Sequence, residues 1–86
     1  MFYVYILQSA KDKKLYIGFS TDINQRFKKH KEGDTKSTRP RRPLKLIYSE
    51  AHISEKDARR RERYFKTTKG KSSLRQILRD TLNPDN

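Results

Sequence analysis

The chain contains no cysteine and only two histidines, and its acidic residues are outnumbered by basic ones, 10 against 22. Without thiols, neither a disulfide framework nor a thiolate zinc site can hold the fold together. His30 and His52 alone are too few for a structural metal cluster. No apolar run approaches the ~20 residues of a membrane-spanning helix, and no signal-peptide core precedes a small-residue cleavage site. A cytoplasmic protein without membrane association is the expectation. A length of 86 residues allows one small domain with a modest core, expected over 1–82, with a disordered tail over 83–86.

What is abundant is positive charge. The formal net charge is +12. Self-repulsion of that size works against a compact small domain, and a polyanionic partner is its natural explanation. Nucleic acid is therefore the expected partner. The plainer alternatives are a merely basic soluble protein and a ribosome-associated one.

The apolar residues are patterned. Residues 2–8 alternate Phe2, Val4 and Ile6 with Tyr3, Tyr5 and Leu7, which predicts a strand. After a polar connection, Leu15, Ile17 and Phe19 alternate with Tyr16 and Gly18 in a second strand. Ser20, Thr21 and Asp22 are all good N-caps, and Ile23 and Phe27 share a helical face, predicting a helix from about residue 22 to Lys31 that stops at Gly33. The segment KEGDTKSTRPRRP is too polar and proline-rich to be a core element. A third strand is predicted over 44–50. Ser54 and Asp57 resemble a capping box that opens a helix through Ala58 and Phe65. Leu74, Ile77, Leu78 and Leu82 then space a last helix. The order β-β-α-β-α-α implies an α/β protein of the α+β kind, a three-stranded, mainly antiparallel sheet flanked by helices.

Three features break this pattern. Glu62 stands in the apolar stripe between Ala58 and Phe65. A buried carboxylate must be paired or hold a metal. Its readings are an ion pair with Arg59, Arg61 or Arg63, or a single-carboxylate ligand for a hydrated cation such as Mg²⁺. Glu50, at the end of the third strand, is a weaker second candidate. Arg26 and His30 lie one helical turn apart on one face, either as part of a solvated basic surface or as a phosphate clamp beside a proton-exchanging imidazole. Tyr5 and Tyr16 are brought together if the hairpin pairs their faces. That is ordinary cross-strand packing, or a pair of phenols beside the space that Gly18 leaves for an approaching ligand.

Together, Tyr3-Val4-Tyr5, Tyr16-Ile17-Gly18, Arg26-x-x-x-His30, TRPRRPLKLIYSE and Ala58-x-x-x-Glu62 resemble the GIY-YIG endonuclease family, nearly from end to end. The likeness is to its small stand-alone bacterial members. The same nuclease domain occurs within the excinuclease and in structure-specific endonucleases, a context of DNA repair. The resemblance implies a phosphodiesterase that uses one metal ion. Glu62 would hold Mg²⁺ or Mn²⁺, Tyr5 or Tyr16 would act as general base with His30 relaying the proton, and Arg26 would steady the phosphate. An unperturbed tyrosine has a pKa of about 10, so Arg26 and the metal are expected to lower it. Thr38, Arg39, Arg41, Arg42, Arg60 and Lys66 are the residues expected to track phosphates, with no base-reading motif in view.

The chain departs from the family's pattern. Tyr3 stands where the signature has Gly, at a position without an implied catalytic role. Better-understood relatives attach a DNA-recognition domain or a protein partner, for which 86 residues leave no room, so a protein partner supplying specificity is expected. DNA is the expected substrate, with RNA also open. The rival reading is a nucleic-acid-binding module of the same fold with weak or partner-dependent cleavage.

Overall fold

A computed structural model describes residues 1–84 of the chain. Three strands, β1 (Phe2–Ser9), β2 (Leu15–Ser20) and β3 (Leu44–His52), form an antiparallel sheet in the order β2-β1-β3. Helix α1 (Ile23–Glu32) follows β2, and α2 (Glu55–Phe65), α3 (Thr68–Ile77) and the short α4 (Arg79–Leu82) follow β3. The predicted order is borne out. The last predicted helix, however, is divided at Leu78, whose backbone (φ −104°, ψ 20°) joins α3 to α4. Of the tail expected over 83–86, residues 85 and 86 lie outside the described residues. Among the described residues no helix is long and apolar enough to cross a membrane.

Local chemistry fixes the helix ends. The Asp22 carboxylate accepts from the Gln25 amide at the start of α1, and Gly33 closes that helix with a left-handed φ of 84°. Ser54 caps α2 by accepting from the Asp57 amide, and Thr67 caps α3 by accepting from the Gly70 amide.

The sheet has two covered faces. Val4, Ile6 and Ile17 pack with Ala58, Phe65, Leu74 and Leu78 of the C-terminal helices and form the larger core. Tyr5, Leu7 and Leu44 pack on the other face, with Tyr16, Leu46 and the α1 residues Ile23 and Phe27. A bulge in β3 changes which residues share a face. Leu7 pairs with Leu46, but Ile6 pairs with Tyr48, so Ile47 is the extra residue. Leu44 and Leu46 consequently lie on the Tyr5 face, whereas Tyr48 and Glu50 lie with Ile6 and Val4 on the opposite one.

The corner between α2 and α3 is tight. A Cβ on Gly70 would overlap the Tyr64 carbonyl and stand 2.8 Å from the Phe65 Cα. In an unhindered helix interior, Gly→Ala stabilises by about 1 kcal/mol. Here backbone has no room to move aside, so overpacking decides the sign. Gly70→Ala is expected to destabilise the domain by about 2–3 kcal/mol, measured by urea unfolding. A gain in stability would show that the corner relaxes freely.

Candidate active site

The site grows from β1 outward. Tyr5 pairs directly with Gly18, and its ring lies across that glycine, where any Cβ would overlap the phenolic carbon and oxygen. The space left by Gly18 is therefore filled by Tyr5 itself and is not an opening for a ligand. From α1, His30 approaches the same phenol: its Nε2 lies 2.9 Å from Tyr5 Oη. One turn earlier, Arg26 Nε donates to Tyr5 Oη over 3.4 Å. The Tyr16 ring completes the group, 6.3 Å from the Tyr5 ring and 5.0 Å from the His30 ring, centroid to centroid. Tyr5 is 1% exposed and His30 fully buried. The reading of Arg26 and His30 as a solvated basic face is thus excluded for His30. The site reaches solvent through its half-buried members Arg26, Tyr16 and Glu62.

Burial dominates the electrostatics. It pushes the Tyr5 phenol above its ordinary pKa, and the neighbouring Tyr16 and Glu62 push the same way. The hydrogen bond and charge of Arg26 pull downward without overcoming burial. The expected net lowering of Tyr5 is not found in the chain alone. His30 moves down, first through burial and then through the charge of Arg26, so its imidazole is neutral near pH 7 and one ring nitrogen is an acceptor. Arg26 is held firmly protonated, above all by its bond to Tyr5.

Glu62 approaches from α2, which packs on the opposite face of the sheet and against β2, the strand that Tyr5 overlies. Its charge acts on the Tyr5 phenol. Its partner is none of the neighbouring arginines. Lys66, one turn on, lies 3.1 Å from Oε2, while the Glu62 side chain is only 16% exposed. A pair of this spacing contributes roughly 0.3–0.5 kcal/mol, little enough for a cation to displace the lysine. Among the described residues no group of three His, Cys, Asp or Glu side chains could hold a metal. A lone carboxylate fits Mg²⁺ or Mn²⁺, which keep waters and take phosphate oxygens, and does not fit a closed zinc site. Glu50 is corrected as a candidate ligand. The bulge turns it away from Tyr5, and Arg61 binds both its oxygens at 3.0 Å while Tyr48 donates at 2.8 Å.

The residues expected to track phosphates are placed variously. Thr38 is corrected: it is fully buried, and its Oγ1 lies 2.7 Å from His30 Nδ1, so the hydroxyl is not presented to a substrate. Arg39 Nε donates to the Gly33 carbonyl at 2.6 Å, and Arg42 Nε to the Arg39 carbonyl at 3.1 Å. Arg41 donates to the Leu15 carbonyl at 3.4 Å. Arg60 pairs with Asp57 on the surface, and Lys66 with Glu62. Arg39, Arg42, Arg60 and Lys66 remain exposed. A cleft of about 190 Å³ is lined in part by Ser20, Gln25, Arg26 and Lys29. Lys29 is an addition to the expected set; its place one turn from Gln25 on α1 is the only local signal for it. No local pattern could show that Thr38 would meet His30.

Comparison with known proteins places these features in context. The family model described as the GIY-YIG catalytic domain matches residues 1–76. A UPF0213 protein of Streptococcus agalactiae is 41% identical over 76 residues, covering 87% of this chain and 85% of the relative. One from Clostridium perfringens is 37% identical, covering the whole chain and 92% of the relative. The solution NMR structure of a UPF0213 protein from Bacillus halodurans is similar with a TM-score of 0.55 and 38% identity, covering 90% of this chain and 85% of that one.

The buried imidazole has a thermodynamic consequence. The unfolded chain takes up a proton at His30 near pH 6.5, whereas the folded chain does so only at lower pH. Protons therefore favour unfolding, and stability declines as the pH falls below about 6.5 towards the folded value. Tyr5, Tyr16 and Arg26 are the titratable groups packed around the ring. Glu50, whose pKa is lowered despite burial because Arg61 and Tyr48 bond it, adds acid sensitivity only below the ordinary carboxylate range. In a His52→Gln background, the thermal midpoint is expected to fall between pH 7.0 and about 5.5, and His30→Gln should flatten that slope. An equal slope with and without His30 would contradict its neutral burial.

Proposed function

The chain belongs to the GIY-YIG family of nuclease domains, alongside the UPF0213 proteins, and on that footing we propose that it hydrolyses DNA phosphodiester bonds with Tyr5, His30, Arg26 and Glu62. The observation that carries the reading is the position of Tyr5 Oη between His30 Nε2 and Arg26 Nε. A tyrosine with a raised pKa is a poor base by itself. A neutral imidazole 2.9 Å away supplies what the phenol lacks, an acceptor for its proton. Among the described residues Tyr16 has no imidazole so bonded, which favours Tyr5 as the base.

In this mechanism the attacking water gives a proton to Tyr5 Oη as the Tyr5 proton passes to His30 Nε2. The water oxygen bonds to phosphorus while the bond to the 3′ oxygen breaks, and the leaving 3′ oxygen takes a proton from solvent water, which yields a 5′ phosphate and a 3′ hydroxyl. Arg26 has a half-buried, permanently charged guanidinium that meets charge developing on the phosphate. Tyr16 lies beside the same phosphate as an orienting phenol. Glu62 would hold Mg²⁺ or Mn²⁺ after releasing Lys66, and a cation there supplies Lewis-acid stabilisation of phosphate charge. Lys29, Arg39, Arg42 and Arg60 supply a sequence-independent attraction for the backbone.

The test is cleavage of labelled duplex, single-stranded, flap and four-way-junction DNA, with an RNA control, at low salt with Mg²⁺ or Mn²⁺. Wild type should cleave at least one DNA. Glu62→Gln and chelation should abolish cleavage while leaving binding intact. Tyr5→Phe should lose about 10²–10⁴-fold in rate, and Tyr16→Phe less. Binding should weaken linearly in log salt, by roughly 0.7–0.9 log units per phosphate contact. Tight binding without cleavage of any substrate would overturn the reading of this chain as a self-sufficient nuclease, in favour of a binding module or of an enzyme that needs a partner.

A further inference from the structure

Between Asp34 and Arg42 every residue is exposed or half-buried except Thr38. The backbone around it is closely held. The Thr35 carbonyl accepts from the amides of Thr38 at 3.2 Å and Arg39 at 2.9 Å, and Arg41 N donates to the Thr38 carbonyl at 2.9 Å. Arg39 Nε reaches back to Gly33 at the end of α1, and Ser9 Oγ on β1 donates to the Arg41 carbonyl at 2.6 Å. A charged loop is thus tied at both ends so that one small hydroxyl enters the core.

Its place there has a direction. Arg26 Nε–H already donates to Tyr5 Oη, which is therefore an acceptor. The Tyr5 proton also needs an acceptor inside a site with almost no exposure, and His30 Nε2 is the one within hydrogen-bonding distance among the described residues. With Nε2 accepting, the neutral ring carries its proton on Nδ1, which donates to Thr38 Oγ1 at 2.7 Å. The Thr38 hydroxyl then points its own proton at the Thr35 carbonyl, a longer contact of 3.5 Å. All the donors run one way, from Tyr5 through His30 and Thr38 to the Thr35 carbonyl.

We propose that Thr38 is a positioning residue that fixes the tautomer of His30, holding the proton on Nδ1 and keeping Nε2 open to receive the Tyr5 proton. Its importance for catalysis rests on the reading of Tyr5 and His30 as the proton-handling pair. Without the hydroxyl, Nδ1–H would be left buried and unpaired, which removes the advantage of that tautomer and lets the ring carry its proton on Nε2 as well. In the molecules so protonated, Nε2–H donates to Tyr5 Oη and no longer accepts from it, and the Tyr5 proton has nowhere to go.

The test uses the whole chain with ¹⁵N-labelled histidine, comparing wild type, Thr38→Val and Thr38→Ser. Long-range ¹H–¹⁵N spectra identify which ring nitrogen carries the proton, and His52→Gln assigns the His30 signals. Wild type and Thr38→Ser should show protonated Nδ1 and bare Nε2, and Thr38→Val should lose that pattern. Cleavage should fall about ten- to a hundredfold in Thr38→Val, as when other hydrogen bonds that orient a working imidazole are removed, and should be restored in Thr38→Ser. Thr38→Ala serves if the valine variant does not fold. An unchanged Nδ1–H ring in Thr38→Val or Thr38→Ala, or a serine variant as impaired as the valine one, would overturn the assignment. The spectra need no turnover. If wild type cleaves nothing, the nuclease reading falls and the tautomer comparison still decides the role of Thr38.

Discussion

The rest of the site depends on one buried imidazole. His30 has no exposure, and both of its nitrogens are engaged, one by Tyr5 of β1 and the other by Thr38 of the loop that follows α1. An unpaired polar group in that position would cost about 1–3 kcal/mol, a large fraction of the stability of so small a domain. Three segments must therefore meet in one register for the ring to be tolerated. Once they do, Arg26 is carried to the same phenol by helix geometry alone, one turn earlier on α1. The residues that suit proton transfer are also the ones that lock helix, strand and loop together.

A second constraint is the shortage of apolar material beside a net charge of +12. Two arginines compensate by packing on their flat faces. The Arg59 guanidinium lies 3.7 Å from the centroid of Phe19, which stacks on Phe2, and Arg61 lies 4.3 Å from the centroid of Phe65 while gripping Glu50. Arg39 and Arg41 bond main-chain carbonyls of the loop and hairpin. Part of the positive charge therefore builds the edges of a small core, and only the remainder is available to a polyanion. Counting basic residues cannot separate them.

The two carboxylates illustrate how a local pattern succeeds or fails. Glu62 is conspicuous because it interrupts an apolar stripe, and it does lie largely covered near Tyr5. Proximity in sequence points to Arg59, Arg61 or Arg63 as its partner, yet helix geometry gives it Lys66, a full turn on. Glu50 shares the parity of Leu44 and Leu46 in sequence and would sit with them on the Tyr5 face of a regular strand. The bulge at Ile47 sends it to the other face, into the grip of Arg61. One inserted residue reverses every facing beyond it, and no side chain in β3 announces it.

Periodicity and caps by themselves determined the three strands, α1 with its Gly33 stop, α2 with its Ser54 cap, and the element order. These are short-range properties, fixed by residues three or four apart, and the chain carries them in plain form. The candidate residues Tyr5, Tyr16, Arg26, His30 and Glu62 stood out in the sequence as departures from those same patterns. Only the tertiary structure decided that Tyr5 fills the gap over Gly18, that burial raises its pKa, and that Thr38 is buried against His30. Each of these depends on groups distant in sequence entering one water-poor space. There the cost of desolvation, invisible in a linear pattern, decides which side chain takes which proton.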